Sequence, residues 1–358
     1  MRWASLVLVV MSSGCVGQVS VPSPSPVVPS ASPAPTASAT PSARPTERQV
    51  RPFSRLVTVA LPDAAQVAVD TERVVFTLAG TTASSLEAVD VATGLRSSVY
   101  AAPTGWSIEL SSRGLRGDSV VFTERRFEGG RTDGRVVRVD LRTKAAAVLD
   151  EWTGPFLGGG DTWNPEPAIT NGGEVLWIRI TDERRPFAVD LVLAPASGPL
   201  QILRSSASAT WADLDDSGRV AVSTLISAAD RAELELWTRD RFTSLASRPS
   251  SDGGPVRFVG DRLLWAVGSG IVSRISRVQL VSVDRTVRDL DTGACFWRGV
   301  AGRHVMLGCG TGAASTQVLL DPVTGTRGDE VNTFNQTGAA RAALWREGTQ
   351  WWLGTLTP

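Results

Sequence analysis

Chemistry near neutral pH needs groups that exchange protons or hold a metal, and this sequence carries few. His304, Tyr100 and Lys144 are each the single residue of their type. General acid–base work would therefore fall to carboxylates or to a bound metal. One spacing stands out within Trp211–Val222. Asp213, Asp215 and Ser217 occupy alternate positions before Gly218. Alternate oxygens followed by a glycine can converge on a hard cation, which makes Ca2+ the candidate cofactor. The fit is incomplete, because Ala221 stands where a further carboxylate would serve. A competing reading needs no metal: Asp216-Ser217-Gly218 is also a good tight turn into the apolar segment that follows.

The second candidate is a long insertion over 151–167. It contains three consecutive glycines and then Asp161, Trp163 and Glu166. Gly-rich loops bearing aromatics and carboxylates are common ligand contacts. A solvent-exposed connector is the alternative. The glycines are not followed by a lysine and lead into a strand, so a phosphate cradle is not indicated. His304 has no second His or Cys nearby in sequence, and no Gly-X-Ser-X-Gly elbow is present. Cys295 and Cys309 flank the turn Val300–His304 symmetrically. A hairpin centred on Gly302 would set them opposite one another at disulfide distance. Two free thiols are the alternative.

The elements that would position these groups recur along the chain. A polar turn followed by a short apolar strand appears at 72–76, 117–122, 172–177, 217–222, 260–266, 302–307 and 340–345. Repeats of roughly 40–50 residues built from short strands predict a β-propeller. The third strand of each unit alternates apolar and polar residues, as in Leu86–Val91, Val136–Leu141 and Glu233–Trp237, which buries one face between units. Seven such units predict seven blades, with six as the alternative. The last unit ends at 351–356 with no room for a fourth strand, and an unassigned strand over 54–61 precedes the first. This N-terminal strand is predicted to complete the final blade, removing exposed sheet edges. The tryptophans Trp177, Trp237, Trp265, Trp297, Trp345, Trp351 and Trp352 could bind sugars. Their equivalent positions on apolar strands point instead to packing between blades.

Outside the repeats, residues 1–15 have the pattern of an export signal. Arg2 is the positive start, Ala4–Met11 the apolar segment and Ser12-Ser13-Gly14 the small residues before Cys15. The end of this segment resembles a bacterial lipobox, with Ser12 where that family has Leu. The resemblance implies that Cys15 becomes a lipidated N-terminus; a simple cleaved signal is the alternative. Residues 16–50 are rich in Pro, Ser, Ala and Thr and predict an extended tether with a reach of roughly 100 Å. Residues 51–358 form the folded domain. No apolar run after residue 15 is long enough to span a bilayer.

The spacing of turns and strands over 51–358 resembles bacterial WD-repeat or TolB-like propeller lipoproteins. That resemblance implies a non-enzymatic binding or scaffold module, extracytoplasmic and anchored to the membrane by lipid. Its partner would be a protein, a peptide or a wall glycan, and the chain would be a monomer. The alternative is an envelope glycoside hydrolase or lyase, which needs paired carboxylates at one mouth of the channel. The chain has 36 basic and 36 acidic residues, so nothing suggests a nucleic-acid partner.

Overall fold

The computed structural model describes residues 49–62, 66–80, 83–129, 131–155, 167–182, 188–206, 208, 210–226, 229–238, 240–249, 253–267, 277–310, 316–332, 337–339 and 341–356. Cys15 and the tether through residue 48 lie outside them.

The protein is all-β, with seven antiparallel sheets of four strands each. Blade 1 consists of β2 (Val67–Val69), β3 (Arg73–Ala79), β4 (Ser84–Asp90) and β5 (Arg96–Ala101). Blade 2 has the longest strands: β6 (Trp106–Arg116), β7 (Ser119–Glu128), β8 (Arg131–Asp140) and β9 (Ala146–Pro155). Blade 3 runs through β10 (Ala168–Ile169), β11 (Val175–Asp182), β12 (Ala188–Ala194) and β13 (Gln201–Ser206). Blade 4 comprises β14 (Thr210–Leu214), β15 (Val220–Ile226), β16 (Arg231–Thr238) and β17 (Arg241–Pro249). Blade 5 holds β18 (Val256–Val259), β19 (Arg262–Val267), β20 (Arg277–Val281) and β21 (Val287–Leu290). Blade 6 holds β22 (Cys295–Ala301), β23 (His304–Cys309), β24 (Thr316–Leu320) and β25 (Val331–Asn332). Blade 7 takes β26 (Thr337–Ala339), β27 (Ala342–Glu347) and β28 (Gln350–Leu356) from the C-terminal end, and β1 (Phe53–Val59) as its outermost strand.

Each turn-and-strand repeat read from the sequence is the second strand of its blade. These strands are β3, β7, β11, β15, β19, β23 and β27. They carry the most buried residues because each is covered on both faces by neighbouring blades. The core is accordingly split into clusters that each join adjacent blades. Val75, Leu86, Leu115 and Phe122 join blades 1 and 2. Leu234, Leu263 and Trp265 join blades 4 and 5. The large tryptophans belong to this packing: Trp177, Trp265, Trp345 and Trp351 are among the largest fully buried side chains. The buried Trp265 indole donates its Nε1–H to Ser223 Oγ at 2.9 Å.

Ring closure follows the predicted route. β1 runs antiparallel to β28, with Leu56 opposite Gly354 and Val57 opposite Leu353. Gly354 makes the approach possible, since a Cβ there would lie 2.5 Å from the Phe53 ring. Phe53 instead stacks on Trp345 with ring centroids 4.9 Å apart. Between blades, arginines add a second set of ties. Arg73 donates to the Gly117 carbonyl and pairs with Asp118. Arg179 pairs with Asp150 across blades 3 and 2, Arg204 with Glu235 across blades 3 and 4, and Arg51 with Asp329 across blades 7 and 6.

The stack of Phe53 on Trp345 is where the two ends of the chain meet. Trp345→Ala should cost about 3–5 kcal/mol, the usual loss for emptying a buried tryptophan site. Urea unfolding followed by tryptophan fluorescence measures it; a loss confined to surface-like values would mean that closure rests elsewhere.

Candidate functional site

The inner strands of a propeller line its axis, and here one of them departs from the ladder. β6 pairs with β7 at Leu110–Phe122 and again at Leu115–Val120. The four residues between, Ser111-Ser112-Arg113-Gly114, form a bulge. A glycine inside a strand is the sequence signal for such a feature. Gly114 shows why: a Cβ there would sit 2.1 Å from the Val121 carbonyl oxygen. β6 touches the inner strands of blades 1, 3 and 7. Arg113 reaches past blade 3 to blade 4, where it forms an ion pair with Asp213. It also donates to the Leu214 carbonyl at 2.7 Å.

Asp213 lies on β14 with 1% of its side chain exposed. Its Oδ2 accepts the Phe258 N–H from blade 5 at 2.7 Å. One carboxylate therefore holds blades 2, 4 and 5 together at the centre of the ring. Asp215 and Ser217 do not join it. Asp215 accepts from the Ser217 N–H and the Arg219 N–H and binds the Arg219 guanidinium. Ser217 Oγ donates back to Asp215. Asp216 turns to the next blade and accepts the Asn171 N–H. The three oxygens chosen for Ca2+ thus each have protein partners. Among the described residues, no group of three or more His, Cys, Asp or Glu is placed to hold a metal ion.

Other chemistry-bearing residues are also placed. Glu109, on the inner strand β6, pairs with Arg125 at 3.0 Å. Glu124 is fully buried and paired with Arg135, whose guanidinium lies 4.4 Å over the Trp106 ring. Beside them, burial and the Glu124 carboxylate push the Tyr100 phenol up to about 12. Cys295 and Cys309 are directly opposite in the β22–β23 hairpin, with sulfurs 1.99 Å apart. His304 is buried at the start of β23, and that burial lowers its pKa. Asp161, Trp163 and Glu166 lie outside the described residues. The flanking strand β9 carries Asp150, which binds Trp177 and Arg179 of blade 3.

Nothing in the spacing of the sequence singles out Arg113 or joins Tyr100 to Glu124 and Arg135. Only the Ser-Ser-Arg-Gly interruption at 111–114 carried a local signal. The partners of Arg113 lie about a hundred residues away, where spacing gives no clue.

These features define an all-β, seven-bladed propeller in which a buried ion pair joins the inner strands of blades 2 and 4. Solved structures with the same fold include the propeller domain of the Trilobed protease from Pyrococcus furiosus, at 10% identity and a TM-score of 0.54, covering 86% of this chain and 97% of that one. That domain has an open velcro topology, whereas β1 closes the last blade here. A prolyl endopeptidase matches at 14% identity and a TM-score of 0.55, over 78% of this chain and 45% of that one. This chain therefore spans less than half of that enzyme's length. TolB from Acinetobacter baumannii matches at 12% identity and a TM-score of 0.44, covering 73% of this chain and 63% of that one. At these identities the likeness is one of fold. No protein-family model matches the chain, and no curated protein matches it.

Two outcomes follow from this geometry. Arg113→Ala leaves the Asp213 carboxylate buried without its counter-charge and should cost about 3–5 kcal/mol, read by chemical unfolding. Arg113→Lys should restore only part, because a single ammonium cannot reproduce the forked donors that reach both Asp213 and Leu214. Tyr100 is the sole tyrosine, so phenolate absorbance reports it alone. Its folded midpoint should lie near 12, against 10.0 when exposed. A raised phenol pKa stabilises the fold below the unfolded value and loses that contribution as pH rises from about 10 towards 12. A midpoint at the free-tyrosine value in the native protein would contradict the packing described.

Proposed function

We propose that this protein is an exported propeller, held at the cell envelope by a lipid on Cys15, that acts as a non-enzymatic binding platform for a protein or peptide. The observation that carries the reading is the condition of the axis. The bulge at 111–114 ties blade 2 to blade 4 through Arg113, and the inner-strand carboxylates Glu109 and Asp213 are each tied to an arginine. A hydrolase or lyase working in the channel would need two carboxylates free to act on a bound sugar. Tied carboxylates make a stiff ring, which suits a platform.

The binding face we assign is the one bearing the β7–β8 turn. Blade 2 stands out there, since β7 and β8 are 10 residues long while β3 and β15 have 7. At a strand's rise per residue the extra three amount to roughly 10 Å. Phe127, near the tip, is 55% exposed, and an exposed aromatic on a raised edge is a good anchor for a partner. The insertion bearing Asp161, Trp163 and Glu166 follows β9 of the same blade. A wall glycan is the alternative partner for this edge.

Cross-linking in intact cells, followed by recovery of the chain, should yield a discrete adduct that Phe127→Ser abolishes without changing thermal stability. Fatty-acid label should enter the wild-type chain and not Cys15→Ala. Turnover of wall oligosaccharides by the purified chain, lost in Glu109→Gln, would sink the platform reading in favour of an enzyme.

A further inference from the structure

Between blades 7 and 1 a groove of about 810 Å³ opens at the outer rim of the propeller. Residues 58–61, where β1 ends, form one wall, and Val89, Val91 and Arg96 of blade 1 face them. The sheet registers show why it is open. In blade 1, Val74 lies opposite Val89 and Val89 opposite Arg96. The matching run in blade 4 is Val220, Trp237 and Phe242. Val74 and Val220 each pack towards the preceding blade, so matched side chains point the same way. On the preceding blades, Val59 opposite Trp351 matches Arg204 opposite Leu191.

Between blades 3 and 4 these positions are filled. Trp237 and Phe242 pack against the apolar cluster of that junction. Arg204 lies 3.9 Å from the Phe242 ring centroid and pairs with Glu235. Between blades 7 and 1 the same three positions hold Val59, Val89 and Arg96. Two aromatic rings have no counterpart there, and the groove occupies their place. Glu87, which matches Glu235 in register, is bound by Arg96 from its own blade. The Arg96 guanidinium rests 5.1 Å from the Phe76 ring centroid, yet its side chain is 46% exposed. Among the described residues, Glu87 is its one polar partner. Arg327 holds the same register in blade 6, opposite Leu320. That guanidinium donates across its junction to the Asp291 carbonyl at 3.4 Å; Arg96 makes no such bond to blade 7.

We infer that the groove between blades 7 and 1 takes an aromatic side chain from an extended peptide. The incoming ring stacks on the open face of Arg96, as Phe242 stacks with Arg204, and its edge meets Val59, Val89 and Val91. β1 is the outermost strand of blade 7, so one side of its backbone is open to an added strand, and residues 58–61 run along the groove. At such an edge main-chain pairing supplies affinity and a side-chain pocket supplies selectivity. The site uses no residue of the blade 2 edge and needs neither export nor a lipid.

The test uses the full chain and a dye-labelled peptide of alternating threonine and glutamine with tryptophan at its centre, beside the same peptide with alanine there. Fluorescence polarisation should show the tryptophan peptide binding about tenfold more tightly or better. Arg96→Gln should weaken its binding about fivefold. The double variant Val89→Trp, Arg96→Phe rebuilds the filling found between blades 3 and 4. It should abolish binding while the melting temperature holds or rises. Equal affinity for the two peptides, binding of neither, or undiminished binding by Arg96→Gln would each overturn the inference. N-acetyltryptophanamide binding as tightly as the peptide would overturn the part assigned to the β1 edge. If the double variant melts lower, Arg96→Gln decides alone, since it alters an exposed side chain. Cross-linking lost in Phe127→Ser reports the blade 2 edge, so the two readings fail separately.

Discussion

Asp213 takes three things at once: a guanidinium from blade 2, its own place on the inner strand of blade 4, and a backbone N–H from blade 5. It does so with almost no contact with water, so each partner is needed. A buried charge that loses its counter-ion is among the most destabilising defects a protein can suffer, far beyond the loss of an exposed pair. Blades 2 and 4 are not neighbours, and the pair that joins them spans blade 3. That constraint explains why β6 leaves its ladder at 111–114, and why Gly114 must be glycine. The inner strand of blade 3, which the pair passes, is the two-residue β10.

The outer ring is held by a different balance. Apolar clusters between adjacent blades provide the bulk of the stabilisation, through burial of valine, leucine and tryptophan. Arginine ties such as Arg204 to Glu235 sit at the edges of those clusters and are partly wet. Their contribution is to set the angle between blades more than to hold them. The abundance of arginine over lysine has a structural use here, because a forked, planar donor reaches carboxylates and carbonyls on a neighbouring sheet at the same time. Arg248 illustrates it, donating to Gln279 and to the Ala266 carbonyl while lying over the Trp265 ring.

On one face, Asp90, Asp140 and Asp321 brace the third-to-fourth turns by accepting backbone N–H groups. The opposite face carries the raised hairpin of blade 2 with Phe127. The fold is shared with domains of proteases, and a fold of this kind does not by itself fix a function.

Much of the architecture was already legible in the chain. A period-two strand beside a polar turn is a local pattern, so the seven second strands, the closing role of the strand over 54–61 (observed as Phe53–Val59) and the opposition of Cys295 to Cys309 can all be read from spacing and symmetry. The tryptophans on those strands were read as core for the same reason. What spacing could not reveal was which distant groups meet. Asp213, Asp215 and Ser217 look like one set because they alternate, yet β14 ends at Leu214, so Asp213 stays on the strand and meets Arg113 while Asp215 falls in the turn and binds Arg219. Periodicity is a property of neighbouring residues and is written in the sequence. The pairing of a buried charge depends on how whole blades are placed around the axis, and only the tertiary structure decides it.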